Sequence, residues 1–261
     1  MTRPDPSKVT TIDPERDVVT LINTFTVQPE NQERFIQAQS GEYKRLWGKI
    51  EGSLAANLHR GRSGRKAVNY AQLQSVEALR SWQTSDLMKD HLRVIQPYIE
   101  RGQPGVYRVV DVVSRDGLAP RIEESETSMA LIVTMMVEPG ALAELVTAQG
   151  SSARRLLEQL PGLRSLTIHQ GIQSMPRPAM GGGAPPGGGP QAPSDRPLPN
   201  AALYAQLDSE ADGSALLEHP AYREWFTTEN AGIHASEAEM YTVAYVQNEA
   251  ASGAESPVEP R

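Results

Sequence analysis

VVTLINTFTVQPENQERF (residues 18–35) and ALIVTMMVEPGALAELV (residues 130–146) are two versions of one phrase. Each is a run rich in β-branched residues, then a proline, then a stretch with helical periodicity. With Pro29 set on Pro139, an offset of 110 also pairs Thr24 with Thr134, Gln39 with Gln149, Leu46 with Leu156, Gly52 with Gly162 and His59 with His169. Further on, Tyr70-Ala-Gln-Leu73 matches Tyr204-Ala-Gln-Leu207, and Tyr107 matches Tyr241, at an offset of 134. The offset grows from 110 to 134, so the second copy carries 24 extra residues between His169 and Tyr204. That is where the chain reads SMPRPAMGGGAPPGGGPQAPSDRPLP. Such a segment has no periodic pattern and little to bury, so it reads as a disordered insert. Composition and alignment place the insertion independently at the same point.

Each copy has one order of elements. A strand (Val18–Val27; Ala130–Val137) leads to a helix near 30–50 and 140–160. Gly52 and Gly162 are the expected helix stops. Strands follow at 53–59 and 67–74, matched by 163–169 and 201–208. A shorter helical region runs from Trp82 to His91, matched by Leu216 to Trp225, before strands at 106–113 and 240–246. The class is α+β: two tandem ferredoxin-like (β-α-β-β-α-β) domains. The expected boundaries are a disordered tail at 1–16, a first domain at 17–115, a linker at 116–128, a second domain at 129–247 with its insert at 173–199, and a disordered tail at 248–261. One face of each sheet meets helices. The other needs a cover, and two sheets face to face make a barrel, within one chain or across a homodimer.

Composition narrows the function. The 261 residues carry a net charge of −7, which argues against a nucleic-acid partner. The local basic run Arg60, Arg62, Arg65, Lys66 reads as a solvated hairpin loop. There is no cysteine, so thiolate chemistry and disulfides are excluded. No apolar run spans a bilayer and the N-terminus lacks an apolar signal core, so a cytoplasmic protein is expected. One histidine per copy, His59 and His169, is too few ligands for a metal site. The glycine runs lack the Lys-Ser/Thr of a phosphate loop, and no Rossmann fingerprint follows a strand.

At VVTLINTFTV and AVNYAQLQS the chain resembles the antibiotic biosynthesis monooxygenase family, the dimeric α/β-barrel type. Within that family it is similar to tandem-domain oxygenases of aromatic polyketides, the angucyclinone ring-opening enzymes of the jadomycin and gilvocarcin type. The resemblance covers residues 17–113 and, more faintly, 129–246. It implies O2-dependent oxidation of a polycyclic phenol in the barrel cavity, with no metal. It also implies reduced flavin (FMNH2 or FADH2) as a diffusible cosubstrate, delivered by a flavin reductase. The alternatives are a cofactor-independent, anthrone-type quinone-forming monooxygenase, and a non-oxidative polyketide cyclase or binding protein on the same barrel. The family's asparagines fall on Asn23 and Asn69, and an arginine of the second helical region falls on Arg93. These three are the expected catalytic residues. Leu73 stands where a tryptophan commonly follows Tyr-Ala-Gln in the family.

The residues themselves bear on this. Asn23 aligns with Val133, Asn69 with Leu203 and Trp47 with Leu157. A buried asparagine without a partner costs roughly 1–3 kcal/mol, so the amides of the first copy have a structural or a chemical reason. Either they satisfy backbone groups, or they hold a phenolate or peroxide oxygen as an oxyanion hole does. The expected substrate- or cofactor-binding residues are Trp47, Tyr70, Leu73, His91 and Met135. Tyr70 recurs as Tyr204, which favours a role in the fold, and core packing is the plain reading of Trp47 and Met135.

Overall fold

A computed structural model describes residues 8–138, 140–172, 199–226 and 232–248. Apart from Pro199 and Asn248, the expected insert and C-terminal tail lie outside them. The chain begins with β1 (Val9–Thr11). The first half then runs β2 (Val19–Thr26), α1 (Gln32–Leu46), β3 (Ser53–Gly61), β4 (Lys66–Leu73), α2 (Val76–Thr84), α3 (Asp86–Ile95), β5 (Arg101–Gln103) and β6 (Val106–Ser114). A link carries β7 (Arg121–Glu123). The second half runs β8 (Ser125–Val137), α4 (Leu142–Gln159), β9 (Leu163–Gly171), β10 (Ala201–Leu207), α5 (Glu210–Glu218), α6 (Pro220–Arg223) and β11 (Ile233–Asn248). Among the described residues, no helix is long and apolar enough to cross a membrane.

Both halves are ferredoxin-like, with strand orders β6-β2-β4-β3 and β11-β8-β10-β9. They join edge to edge, β3 against β11 and β6 against β9, so the barrel closes within one chain. Closure pairs sheet edges that would otherwise present unsatisfied N–H and C=O groups. The strands are apolar on both faces, one towards the barrel interior and one towards the helices. The stripe Phe35, Ile36, Gln39, Tyr43 and Leu46 seats α1 on the sheet. That helix ends before the expected Gly52: Gly48, at φ 74°, takes the left-handed position just past it.

The expectation of a disordered tail at 1–16 needs correction, and the expected linker at 116–128 carries a short strand. Val9–Thr11 pairs antiparallel with Arg121–Glu123. Ile12 and Ile122 are fully buried in the barrel's apolar interior with Ile22, Val68 and Ile132. Thr10 Oγ1 donates to Asn57 Oδ1 at 2.8 Å, and Gln72 Nε2 donates to the Thr11 carbonyl at 3.2 Å. Ile12 of this segment thus sits in the barrel's apolar interior.

Two buried pairs cross the interior. His59 Nε2 lies 2.9 Å from the Tyr204 hydroxyl, and His169 Nε2 lies 3.1 Å from the Tyr70 hydroxyl. Each half supplies the histidine for the other half's tyrosine. Burial pushes both histidines down to about 4. The basic hairpin run is fully paired: Arg60 with Glu33, Arg62 with Glu210, Arg65 with Glu100 and Lys66 with Glu237. Two of those carboxylates belong to the second half, so the run also clamps the halves together.

Candidate active site in the first half

Side chains alternate across a strand, and this alternation builds the site. On β2 and β4, Ile22, Val68 and Tyr70 point into the barrel interior. Leu21, Asn23 and Phe25, with Asn69, Ala71 and Leu73, point the other way, towards α1–α3. Between that face and the helices lies a cavity open to solvent, with about 80 Å³ of room for the centres of water-sized spheres. Ala55, Ala56 and Ala71 give it a shallow floor, and the indoles of Trp47 and Trp82 stand in its walls. No lysine, arginine, aspartate or glutamate lines it among the described residues.

Asn23 and Asn69 stand directly opposite each other in the β2/β4 register. The Oδ1 atom of each is buried and has no hydrogen-bond partner. An amide offers an acceptor at one end and two donors at the other, and it does not titrate. Two such groups side by side in a greasy cavity are placed to receive a ligand oxygen, as hydroxyl or as oxyanion.

His91 of α3 closes one end of the cavity, its ring 5.9 Å from that of Trp82. Its Nδ1 lies 3.3 Å from Glu42 Oε2, and its Nε2 lies 3.5 Å from Gln39 Nε2. Arg45 grips both oxygens of Glu42, at 2.7 and 2.6 Å. That hydrogen bond holds the Glu42 carboxyl below its ordinary range. Burial lowers His91, and the Glu42 carboxylate opposes the shift.

The second half repeats this geometry without the chemistry. Val133 stands opposite Leu203, in the register that places Asn23 opposite Asn69. Trp225 takes the place aligned with His91, and Ser152, at the 110 offset, that of Glu42. The Trp225 Nε1–H donates to Ser152 Oγ at 2.6 Å, and the indole is 2 % exposed. A buried indole fills the space that the first half leaves open. Trp225→Ala is therefore expected to cost about 3–5 kcal/mol of stability by opening a void. It should leave turnover unchanged at temperatures where the variant is folded, as paired denaturant titrations and rate measurements would show.

The structure brings five of the eight expected site residues around one cavity: Asn23, Asn69, Trp47, Leu73 and His91. Three fall elsewhere. Arg93 has a side chain 76 % exposed and pairs with Asp90. It follows His91 by two residues, which turns it to the far side of the helix. Tyr70 faces the barrel interior, because it neighbours Asn69 on the strand. Met135 packs in the second half's helix–sheet core, where Gln149 Nε2 donates to its sulfur at 3.7 Å. The cavity also differs in kind from the one expected: it lies between sheet and helices, outside the barrel interior. Glu42, Gln39 and Trp82 escaped the sequence reading as site residues. The substitution of Glu42 by Ser152 between the copies was the available signal.

The family model described as antibiotic biosynthesis monooxygenase matches residues 18–94, the segment that holds the cavity's strands and helices. Tetracenomycin-F1 monooxygenase of Streptomyces glaucescens is 32% identical over 81 residues, 31% of this chain and 72% of that protein. The chain belongs to the antibiotic biosynthesis monooxygenase family. As a member it is an oxygenase, an oxidoreductase that uses O2. Among solved structures, an anthrone oxidase-like protein superposes with a TM-score of 0.75 at 19% identity, covering 97% of this chain and 100% of that one. A protein of Fusobacterium nucleatum whose name carries a monooxygenase assignment gives 0.58 at 11% identity, covering 89% and 94%. At those identities the likeness establishes a shared fold.

Flavin can be weighed against the family member's own lining. A phosphorylated flavin needs cations or a cluster of N–H donors for its phosphate. The lining offers amides, one imidazole, the hydroxyls of Tyr43 and Ser53, two indoles and hydrocarbon, with no lysine or arginine among the described residues. The cavity does not fit that group.

Proposed function

We propose that this chain is an O2-dependent oxygenase that oxidises a phenolic polycyclic aromatic polyketide in antibiotic biosynthesis, working in the first-half cavity without a flavin. The observation that carries this reading is the orphaned amide pair, Asn23 beside Asn69, in a cavity lined by hydrocarbon, two indoles and neutral polar groups such as Tyr43 and His91. A flat ring system suits the alanine floor and the Trp47 and Trp82 walls. Its phenolic oxygen suits the amides, which accept from the hydroxyl and donate to the anion.

Ionising such a ring makes an electron-rich carbanion, and O2 is the oxidant. The ring carbon gives two electrons to O2 as a C–O bond forms, and a proton completes a hydroperoxide. Loss of water then converts the original CH2 into C=O. A ring system seated over the amides would shield them from water, so their hydrogen bonds to developing charge would count for more than they do in solvent.

The test is O2 uptake with two probes, 1,8-dihydroxyanthrone and an angucyclinone hydroquinone. Each is run with and without reduced flavin and a flavin reductase. The expected result is uptake without flavin, with a product that has gained one oxygen and lost two hydrogens. Uptake only with reduced flavin, or ring cleavage of the angucyclinone as the sole reaction, would replace this subclass by the flavin-dependent one. Tight binding of both probes with no uptake would favour a cyclase or binding protein.

A further inference from the structure

We propose that His91 is the general base of this site and that Glu42 is the residue that positions it. The inference rests on the oxygenase reading above and assigns the proton transfer that reading requires.

Geometry comes first. Glu42 and His91 are both buried, and His91 lines the cavity while Glu42 stands behind it. Arg45 occupies both Glu42 oxygens, so the carboxylate stays ionised and can only accept. The Nδ1 facing it, at 3.3 Å, must then carry the ring proton. That leaves a lone pair on Nε2. Its neighbour is the Gln39 amide at 3.5 Å, a loose contact that a ligand hydroxyl or acidic C–H can replace. A carboxylate that fixes the tautomer of an imidazole and supports its protonated form is the recurring way to build a base.

The second half supplies an independent comparison. It keeps the same polar contact in the same place, as Trp225 Nε1–H to Ser152 Oγ. An indole has no basic nitrogen and a serine no charge. The copy that lacks the amide pair also lacks the base, so the two features are present together or absent together.

The step balances simply. The Nε2 lone pair takes the proton from the phenol or the acidic ring carbon, and the electron pair stays on the ring. O2 accepts that pair as the C–O bond forms. The imidazolium then returns its proton to the peroxide; loss of the remaining hydrogen from that carbon, with cleavage of the O–O bond, releases water and leaves C=O.

The charges acting on His91 are Glu42 and Arg45, both on α1. Tyr43 of the same helix lines the cavity nearby, α2 presents the neutral Trp82 ring, and the strands present neutral amides. The acid limb of kcat against pH should therefore report His91, below its ordinary range. His91→Gln is expected to lower kcat by about a hundredfold or more and to abolish that limb. KM for 1,8-dihydroxyanthrone should change by less than about threefold, since the indole walls remain. Glu42→Gln removes the group that raises His91, so it should move the limb to lower pH and reduce kcat with little change in KM. A His91→Gln enzyme that keeps the limb, or a Glu42→Gln enzyme whose limb stays in place, overturns the assignment. A wild-type enzyme without O2 uptake on either probe would sink the oxygenase reading instead. The dyad is then judged by nitrogen NMR of His91 in the full chain. A protonated Nδ1 whose titration moves with Glu42→Gln supports it, and a protonated Nε2 overturns it.

Discussion

Replacing Asn23 by Val and Asn69 by Leu is expected to give a protein that is more stable and about a thousandfold slower. These are the residues that the second half holds in the same cross-strand register, Val133 opposite Leu203, so the fold has already accepted them once. The gain in stability follows from the orphaned Oδ1 atoms. A buried polar atom without a partner costs roughly 1–3 kcal/mol, and replacing it by hydrocarbon of similar shape removes that cost. Two such sites should add about 2 kcal/mol or more, a rise of roughly 4–8 °C in melting temperature for a chain of this size. The loss of rate follows from the same atoms. Removing one preorganised group at a developing oxyanion typically costs about 100- to 1000-fold in kcat. The two amides stand opposite each other across the strand pair, so the double loss should be less than the product of the singles. Calorimetry and steady-state O2 uptake on the same samples check both halves of the prediction. A variant that loses stability, or one that keeps its rate, shows that the amides serve the fold.

Stability should also collapse as pH falls from about 6.5 towards 4, well before most carboxylates titrate. His59 and His169 are fully buried and held down to about 4, against an ordinary 6.5 in the unfolded chain. The sign is set by that depression. Below 6.5 the unfolded chain takes up a proton at each histidine that the folded chain refuses, so protons pull towards unfolding. The contribution is whole above 6.5 and gone below 4. By linkage each histidine is worth about 3 kcal/mol over that window, with a limiting slope of about 1.4 kcal/mol per pH unit. Protonating both would also set two like charges inside the buried barrel interior. Urea titrations from pH 7.5 to 4.5 measure the slope. His59→Gln with His169→Gln should flatten most of it, and the remainder should track His91, which burial lowers in the same sense. An unfolding free energy that stays level down to pH 4.5 rules this account out.

These two results divide along what the sequence shows. The order of elements is legible because two similar stretches of sequence each state it, and the offsets also expose where the halves differ. The face that each strand residue takes is not legible. Strands buried on both sides lose the polar–apolar alternation that would separate Asn69 from Tyr70. That is why an active cavity reads as lying inside the barrel when it lies between sheet and helices. Val9–Thr11 is too short to show a period, and its partner Arg121–Glu123 is remote in sequence. Arg93 follows a family correspondence across a helix whose rotation the alignment does not set. Glu42 looks like one more helix-surface carboxylate until Arg45 and His91 are seen on either side of it.

The account turns on where the ligand sits. A crystal structure of the full chain with bound 1,8-dihydroxyanthraquinone measures that directly. The account predicts one ligand, between the first half's sheet and helices, with an oxygen within hydrogen-bond reach of Asn23 or Asn69 and its rings against Trp47 or Trp82. Density in the barrel interior beside His59 and His169, or in the second half beside Trp225, would contradict it.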